Sequence, residues 1–315
     1  MSHKAGFINI IGNPNVGKST LMNALVGERI SIITKKAQTT RHRILGIVNE
    51  EEFQMVFSDL PGVIKPAYEL QENMMQFVKI ALQDADVLLY LVEIGETTLK
   101  DENFFKQIEQ SEVPVVLLLN KIDKADQEQV AEAFTAWKEK LPKAEIFAVS
   151  ALMKFGVKEV FEHLKSLLPD SPPFYAKDAM TDKPERFFVN ETIREKILIH
   201  YKKEIPYSVE VETESFENEE KMLRIHSVIM VERKSQKGII IGHQGRGIKR
   251  IGTEARKDLE KFFQKKIHLE LFVKVNKDWR KNRNELRKMG YDQSGGKLKL
   301  KLKHRTEVLP KFKKT

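Results

Sequence analysis

The sequence predicts a doubly wound α/β domain followed by a smaller, basic α+β domain. Three observations carry this expectation. Gly12-Asn13-Pro14-Asn15-Val16-Gly17-Lys18-Ser19 fits G-x-x-x-x-G-K-[ST], between a strand pattern at Phe7 to Ile11 and a helix start at Thr20 to Val26. Short apolar runs then recur at Phe53 to Phe57, Asp86 to Val92, Val113 to Leu119 and Ile146 to Val149, with helix-length stretches between most of them. Charge divides the chain: residues 1–170 carry a net −5 and residues 171–315 a net +14, within an overall +9.

The 315 residues suit two domains and a core of ordinary size. With no Cys, disulfides and thiolate metal sites are excluded, and the eight His show no ligand spacing. No apolar run is long enough to span a membrane, and Phe7 already begins a strand where a signal peptide would lie. A cytosolic protein is expected. The basic second half reads either as a surface for a polyanion or as a solvated Lys/Arg surface.

The glycine-rich loop has a direct chemical logic. Its backbone N–H groups can surround an anion where a helix N-terminus adds partial positive charge. Lys18 would reach the β- and γ-phosphates, and the Ser19 hydroxyl would ligate Mg²⁺. The polar, basic segment Ser31 to Arg43 suits a mobile element that a γ-phosphate can order. Thr39 and Thr40 both offer hydroxyls for Mg²⁺, with Thr40 preferred. Asp59-Leu60-Pro61-Gly62 ends the next strand, placing Asp59 for the metal and the Gly62 N–H for the γ-phosphate.

Asn120-Lys121-Ile122-Asp123 follows the Val113 strand. Guanine offers two adjacent donors, N1–H and the 2-amino group, and Asp123 can accept both. Adenine would leave that carboxylate unpaired, a discrimination worth roughly 10⁴-fold. Asn120 would take N7 and tie its loop to the phosphate loop. The Lys121 stem would cover the base, and the Ser150-Ala151 backbone would donate to O6.

In order, GNPNVGKS, QTTRH, DLPG, NKID and SA resemble the five motifs of translation-factor-related GTPases. The resemblance implies GTP/GDP and Mg²⁺ as ligands. It makes residues Gly12 to Thr20, Thr40, Asp59, Gly62, Asn120, Lys121, Asp123, Ser150 and Ala151 the nucleotide site, with Ser19, Thr40 and Asp59 on the metal. Lys18, Asn15, Thr40 and Gly62 are the expected catalytic set. Val63 stands where signalling GTPases carry a water-orienting Gln, so intrinsic turnover should be slow. In some relatives an Asn at the place of Asn15 helps hold K⁺ beside the phosphates. Leu60 departs from the usual Thr in D-x-x-G.

Leu168-Pro169-Asp170-Ser171-Pro172-Pro173 breaks the helical pattern and marks the domain boundary. Phe187 to Tyr201 then has helical spacing, and Ser208 to Glu214 and Leu223 to Val231 alternate as strands. Gly242-His243-Gln244-Gly245 leads into a long basic helix, and Ile267 to Val275 is a last strand. This αββααβ order around I-I-G-x-x-G resembles a type II KH domain. Gly242 and Gly245 would admit a nucleic-acid backbone, with His243, Gln244, Arg246, Lys249 and Arg250 as its polar contacts and Ile240 and Ile241 as apolar floor.

One such GTPase domain followed by a type II KH domain closely resembles the Era family, over about residues 4 to 292. S-I-I-T-K-K-A-Q-T-T-R-H-R, I-P-Y-S-V-E-V, E-A-R-K-D-L and K-D-W-R add to the match. The expected layout is a GTPase domain at 1–170, a linker at 171–184 and a KH domain at 185–293, with a basic, disordered tail at 294–315 beyond the resemblance. The tail reads equally as an edge strand or an appended segment. The resemblance implies binding to the 3′ end of 16S rRNA, a role in 30S subunit assembly and maturation, and peripheral membrane association, for which no anchor is visible. A monomer is expected. The alternative is an RNA-binding protein whose nucleotide is only a structural ligand; the complete set Lys18, Ser19, Thr40 and Asp59 favours the switch.

Asp123→Asn exchanges an acceptor pair for one donor and one acceptor. It should shift preference from GTP towards xanthosine triphosphate, whose C2 carbonyl matches the new donor. Equal GTP affinity in wild type and variant, by fluorescence titration, would remove this role from Asp123.

Overall fold

The computed structural model describes residues 3–291, so the expectation for the tail at 294–315 lies outside the described residues. These residues form two units, 3–67 with 71–182 and 68–70 with 183–291. The first alternates β1 (Lys4–Ile11), α1 (Lys18–Val26), β2 (Ile44–Asn49), β3 (Phe53–Asp59), α2 (Glu69–Gln83), β4 (Val87–Glu93), α3 (Glu102–Glu109), β5 (Val115–Asn120), α4 (Gln127–Lys140), β6 (Glu145–Val149) and α5 (Val157–Ser166). The sheet order is β2-β3-β1-β4-β5-β6, parallel except where β2 runs against β3. β1, β3 and β4 are buried along nearly their whole length, as strands covered on both faces must be. The loops after β1, β3, β5 and β6 therefore gather at the carboxyl edge of the sheet, where such folds bind ligands.

The sequence reading has no strand between the polar segment Ser31 to Arg43 and the strand at Phe53, where the structure has β2. Ile44-Leu45-Gly46-Ile47-Val48-Asn49 is short and interrupted by glycine. It becomes a strand by pairing with β3 from Ile44–Asp59 to Asn49–Gln54. Gly46 is required by packing: a Cβ there would lie 2.7 Å from Val26 Cγ2.

Sheet edges need cover, and residues 171–182 cover β2. This stretch has no helix or strand, as an extended connector would, and it belongs to the first unit. Ile47 N donates to Met180 O (2.8 Å) and Leu45 N to Asp182 Oδ1 (3.0 Å). Gln54, fully buried, accepts at Oε1 from the N–H groups of Phe174 (2.7 Å) and Tyr175 (2.9 Å). Its Nε2 donates to Tyr175 O (2.9 Å) and Asn49 Oδ1 (2.6 Å). Phe7, Leu45, Ile47, Val56 and Ala179 form an apolar cluster with Phe174 and Tyr175 packed against it.

The second unit runs α6 (Glu185–His200), α7 (Ile205–Ser208), β7 (Glu210–Asn218), β8 (Met222–Val231), α8 (Lys234–Ile241), α9 (Arg246–Phe263), β9 (Lys266–Val275) and α10 (Arg283–Lys288). Its sheet order is β7-β8-β9, antiparallel then parallel. Val189, Ile193 and Ile197 of α6 meet Ile251, Ala255 and Leu259 of α9 in a core floored by alternate residues of the strands. The helical period of these positions makes α9 amphipathic and leaves its basic residues outside, whereas α6 is buried on most of its surface, Glu191, Arg194, Glu195 and Lys196 included. Ser208, expected at a strand start, ends the short α7 instead, where Pro206 suits the first turn of a helix.

Gln54→Leu keeps the volume but strands two N–H groups and one carbonyl of the connector. It should cost about 2–4 kcal/mol in urea unfolding and speed amide exchange at Phe174 and Tyr175. Unchanged stability and exchange would show that the clamp contributes nothing.

Candidate functional sites

The loop between β1 and α1 lies against a cavity of about 470 Å³ lined by Lys18, Ser19, Thr40, Gly62, Asn120 and Asp123 among others. Two glycines allow this. A Cβ on Gly12 would lie 2.2 Å from Leu91 O, and one on Gly17 (φ 106°) would lie 2.4 Å from Asn120 Nδ2. Asn15 takes φ 67° and is exposed at the mouth. Pro14, Gly17 and Thr20 also line the cavity; Gly12, Asn13 and Val16 stand behind it. Lys18 is buried and donates to Gly12 O (3.1 Å) and Asn13 O (2.7 Å). Gly62 is pressed on the loop, since a Cβ would lie 2.6 Å from Pro14 Cα. Val63 is fully buried, and its N–H goes to Gly12 O (3.1 Å).

Three hard oxygen donors converge beside Lys18. Ser19 Oγ donates to Asp59 Oδ2 (2.6 Å), and Thr40 Oγ1 lies 2.9 Å from Ser19 Oγ and 3.2 Å from Asp59 Oδ2. Hydroxyl and carboxylate oxygens are the donor set that suits Mg²⁺. Thr39 Oγ1 is engaged with Thr34 Oγ1 (2.6 Å) and Lys36 O (2.7 Å), whereas the Thr40 hydroxyl is the one that meets Ser19 and Asp59. Burial raises the Asp59 pKa against the opposing hydrogen bonds and the charge of Lys18. Burial also lowers Lys18 to about 8, opposed by Asp59 and Glu96. A divalent cation and phosphate oxygens would supply each with the opposite charge it lacks.

At the base end, Asn120 Nδ2 donates to Val16 O (2.7 Å) and its Oδ1 accepts from Ala151 N (2.9 Å). One amide proton remains for a purine N7. The Ala151 N–H that the sequence assigns to O6 is thus given to Asn120, and O6 would have to share it. Ser150 is expected to help through its backbone, but its N–H goes to Phe155 O (3.1 Å) and its hydroxyl donates to Asp123 Oδ1 (2.5 Å), which orients the carboxylate and leaves a lone pair on each oxygen for the base. Lys121 (φ 67°) donates to Asn15 O (2.7 Å) and pairs with Glu93 (2.5 Å), a partner that no motif announces.

In the second unit, Gly242 to Gly245 joins α8 to α9 by a turn that few residues can make. Gly242 has φ 72° and ψ 174°, a region open in practice only to glycine. Gln244 (φ 52°) and Gly245 (φ 73°) are left-handed, and a Cβ on Gly245 would point into open space. His243, Gln244, Arg246 and Lys249 are exposed. Arg250 is exposed too, but shares Glu254 with His200 (3.3 and 2.5 Å). Ile240 is fully buried in the core, whereas Ile241 only packs against it. A cleft of about 280 Å³ opens between α9 and β9, with Ile248, Leu269 and Leu271 apolar and Lys249 and Arg256 charged. Gly247 went unremarked in the sequence: a Cβ there would lie 2.6 Å from Ile240 O, beneath the Tyr201 OH→Ile240 O bond of 2.9 Å.

Fold and site together define a P-loop GTPase joined to a KH domain. Residues 7–121 match the family described as 50S ribosome-binding GTPase, and residues 204–280 match the KH domain family. GTPase Era of Clostridium kluyveri is 42% identical over 293 residues, spanning 91% of this chain and 99% of the relative. GTPase Era of Syntrophus aciditrophicus is 44% identical over 293 residues, spanning 92% and 96%. A crystal structure of Era with MgGDPNP and nucleotides 1506–1542 of 16S ribosomal RNA superposes with TM-score 0.88 at 36% identity, covering 92% of this chain and 99% of that one. An Aquifex aeolicus Era variant bound to GDP·AlF4⁻ gives TM-score 0.88 at 36% identity, over 91% and 99%. The chain belongs to the Era family of GTPases.

Lys18, at about 8 without nucleotide, must be protonated to pair with phosphate. Phosphate raises its pKa, so above pH 8 binding takes up a proton and affinity falls with rising pH. Calorimetry of a non-hydrolysable GTP analogue in buffers of different ionisation enthalpy should show that uptake. Affinity unchanged from about pH 7 to 9.5 would contradict it.

Proposed function

We propose that this chain is a GTP-hydrolysing switch that binds the 3′ end of 16S rRNA through its KH domain and acts in assembly and maturation of the 30S subunit. The observation that carries the reading is the convergence of Ser19, Thr40 and Asp59 oxygens beside Lys18, with Asp123 oriented by Ser150 for guanine. The assigned roles follow from position. Lys18 would neutralise the β- and γ-phosphates, Ser19, Thr40 and Asp59 would hold Mg²⁺, and Asn120, Lys121, Asp123 and Ala151 would take the base. The Gly62 N–H, on the cavity wall, would meet the γ-phosphate. Mg²⁺ supplies charge stabilisation for phosphoryl transfer when bound. With Val63 buried, no side chain after D-x-x-G orients water, and intrinsic turnover is slow. Asn15, exposed at the cavity mouth, would hold a K⁺ ion that supplies the missing positive charge.

The functional division is a GTPase domain at 1–170, a linker at 171–184 and a KH domain at 185–293. The exposed Gly242-to-Gly245 turn and the cations Arg246, Lys249 and Arg250 hold the RNA backbone, and the α9–β9 cleft takes bases. Among the described residues no helix is long and apolar enough to cross a membrane; the protein works in the cytoplasm as a monomer, with peripheral membrane association as in its family. Coupling runs from the γ-phosphate through Thr40 to the segment 34–43, continuous with β2 and so with the connector clamped on it.

RNA affinity for the 3′-terminal 16S strand, measured at fixed salt, should be tighter with a non-hydrolysable GTP analogue than with GDP by about 1–3 kcal/mol. Gly245→Asp should weaken both while leaving nucleotide affinity intact. Equal RNA affinity in the two nucleotide states would remove the switch.

A further inference from the structure

We infer that Asn13 is a positioning residue for Lys18, held through its side chain by the segment 96–100 that follows β4. The inference rests on the GTPase reading and concerns a side chain that faces away from the nucleotide cavity.

Asn13 is 4% exposed and does not line the cavity. Its amide points the other way. Nδ2 donates to Thr98 O (3.0 Å) and Glu96 Oε1 (3.3 Å), and Oδ1 accepts from Lys100 N (3.0 Å). Three of the four hydrogen bonds an asparagine amide can make are therefore spent on one short stretch of chain. The carbonyl of the same residue accepts from Lys18 Nζ (2.7 Å). The peptide that tethers the lysine is thus fixed by its own side chain.

The strap is itself anchored on three sides. Glu96 Oε2 accepts from Glu93 N (3.0 Å), and Glu96 N donates to Glu93 O (2.9 Å), closing a turn with Gly95 at φ 90°. Ile94 N donates to Asn120 O (3.0 Å). From α4, Trp137 Nε1 donates to Glu96 O (3.2 Å) and Lys140 Nζ to Thr97 O (2.5 Å). Glu93 on the same turn pairs with Lys121, which donates to Asn15 O. One turn therefore grips the phosphate loop at two points, Asn13 through Glu96 and Asn15 through Lys121.

A lysine ammonium stabilises transferring phosphoryl only where it is held, and a displacement near 1 Å can cost about 10²-fold. Loss of the Asn13 amide frees the first peptides of the loop without touching any group that meets nucleotide. Lys18 can still find the β-phosphate of GDP, but its placement on the γ-phosphate is no longer enforced. An aspartate at position 13 could still accept from Lys100 N. It could not donate to Thr98 O, and its second oxygen would face Glu96. Glutamine at position 96 would restore a donor to that pair.

The test is steady-state and single-turnover GTP hydrolysis by wild type, Asn13→Ala, Asn13→Asp, Glu96→Gln and the Asn13→Asp/Glu96→Gln double variant. GDP affinity and thermal unfolding are measured alongside. Asn13→Ala should lower kcat roughly 10- to 100-fold, with KM and GDP affinity within about threefold. Asn13→Asp should be slower still, and Glu96→Gln should recover at least about tenfold of that loss in the double variant. A kcat for Asn13→Ala equal to wild type overturns the inference, as does a loss shared equally by kcat and GDP affinity, or a double variant no faster than Asn13→Asp. If Asn13→Ala does not fold, the comparison of Asn13→Asp with the double variant decides. Wild type that hydrolyses no GTP would instead sink the GTPase reading.

Discussion

The nucleotide site depends on one buried amide. Asn120 donates to Val16 O and accepts from Ala151 N, so a single side chain at the end of β5 ties together the loops after β1, β5 and β6. The tie is close enough that Gly17 admits no Cβ, which would lie 2.4 Å from Asn120 Nδ2. The motif glycine is therefore as much a packing requirement of Asn120 as a device for phosphate approach. With the loops fixed in this way, the Ser150 hydroxyl aims Asp123, and two carbonyls hold Lys18, one of them on the peptide that the Asn13 side chain fixes. Such preorganisation lets an open cavity discriminate between bases and act on phosphate without rebuilding itself for each ligand.

The second unit solves a different problem with the same means. Gly242 and Gly247 allow α8 and α9 to meet with almost no side chain between them, and the Tyr201 hydroxyl closes on Ile240 O at that point. The turn between the helices is consequently exposed and bare of bulk, while the cations of α9 stand beside it. The apolar stripe Ile251, Ala255 and Leu259 turns the other face of α9 into the core. One helix thus supplies both the packing that holds the domain and the charge that faces an anion.

Much of this was legible in sequence because each motif is local. A phosphate loop, an N-K-x-D tetrad or a G-x-x-G turn carries its chemistry within a few residues and keeps it wherever the fold puts it. What escaped was non-local. β2 is a strand only because β3 and the connector pair with its two edges, and neither partner is visible in Ile44 to Asn49. Gln54 reads as a polar interruption of a strand, yet it is buried because residues 174 and 175 return to it over more than a hundred positions. Glu93 and Glu96 sit in an unremarkable turn and gain meaning from Lys121 and Asn13. The sequence assigns Ser150 through its backbone, whereas its N–H goes to Phe155 O and its hydroxyl faces Asp123, which only the fold shows.

The claim on which the account turns is that the nucleotide is substrate and not a structural ligand. It is tested most directly by phosphate release from GTP under multiple turnover with Mg²⁺, in K⁺ and in Na⁺, with and without the 3′-terminal 16S strand. The account expects slow release without RNA, about 10⁻⁴ to 10⁻³ s⁻¹, faster in K⁺ than in Na⁺ and absent in Lys18→Ala. The same rate in both salts would remove K⁺ from the site. A chain that binds GTP tightly yet releases no phosphate under any of these conditions would contradict the account.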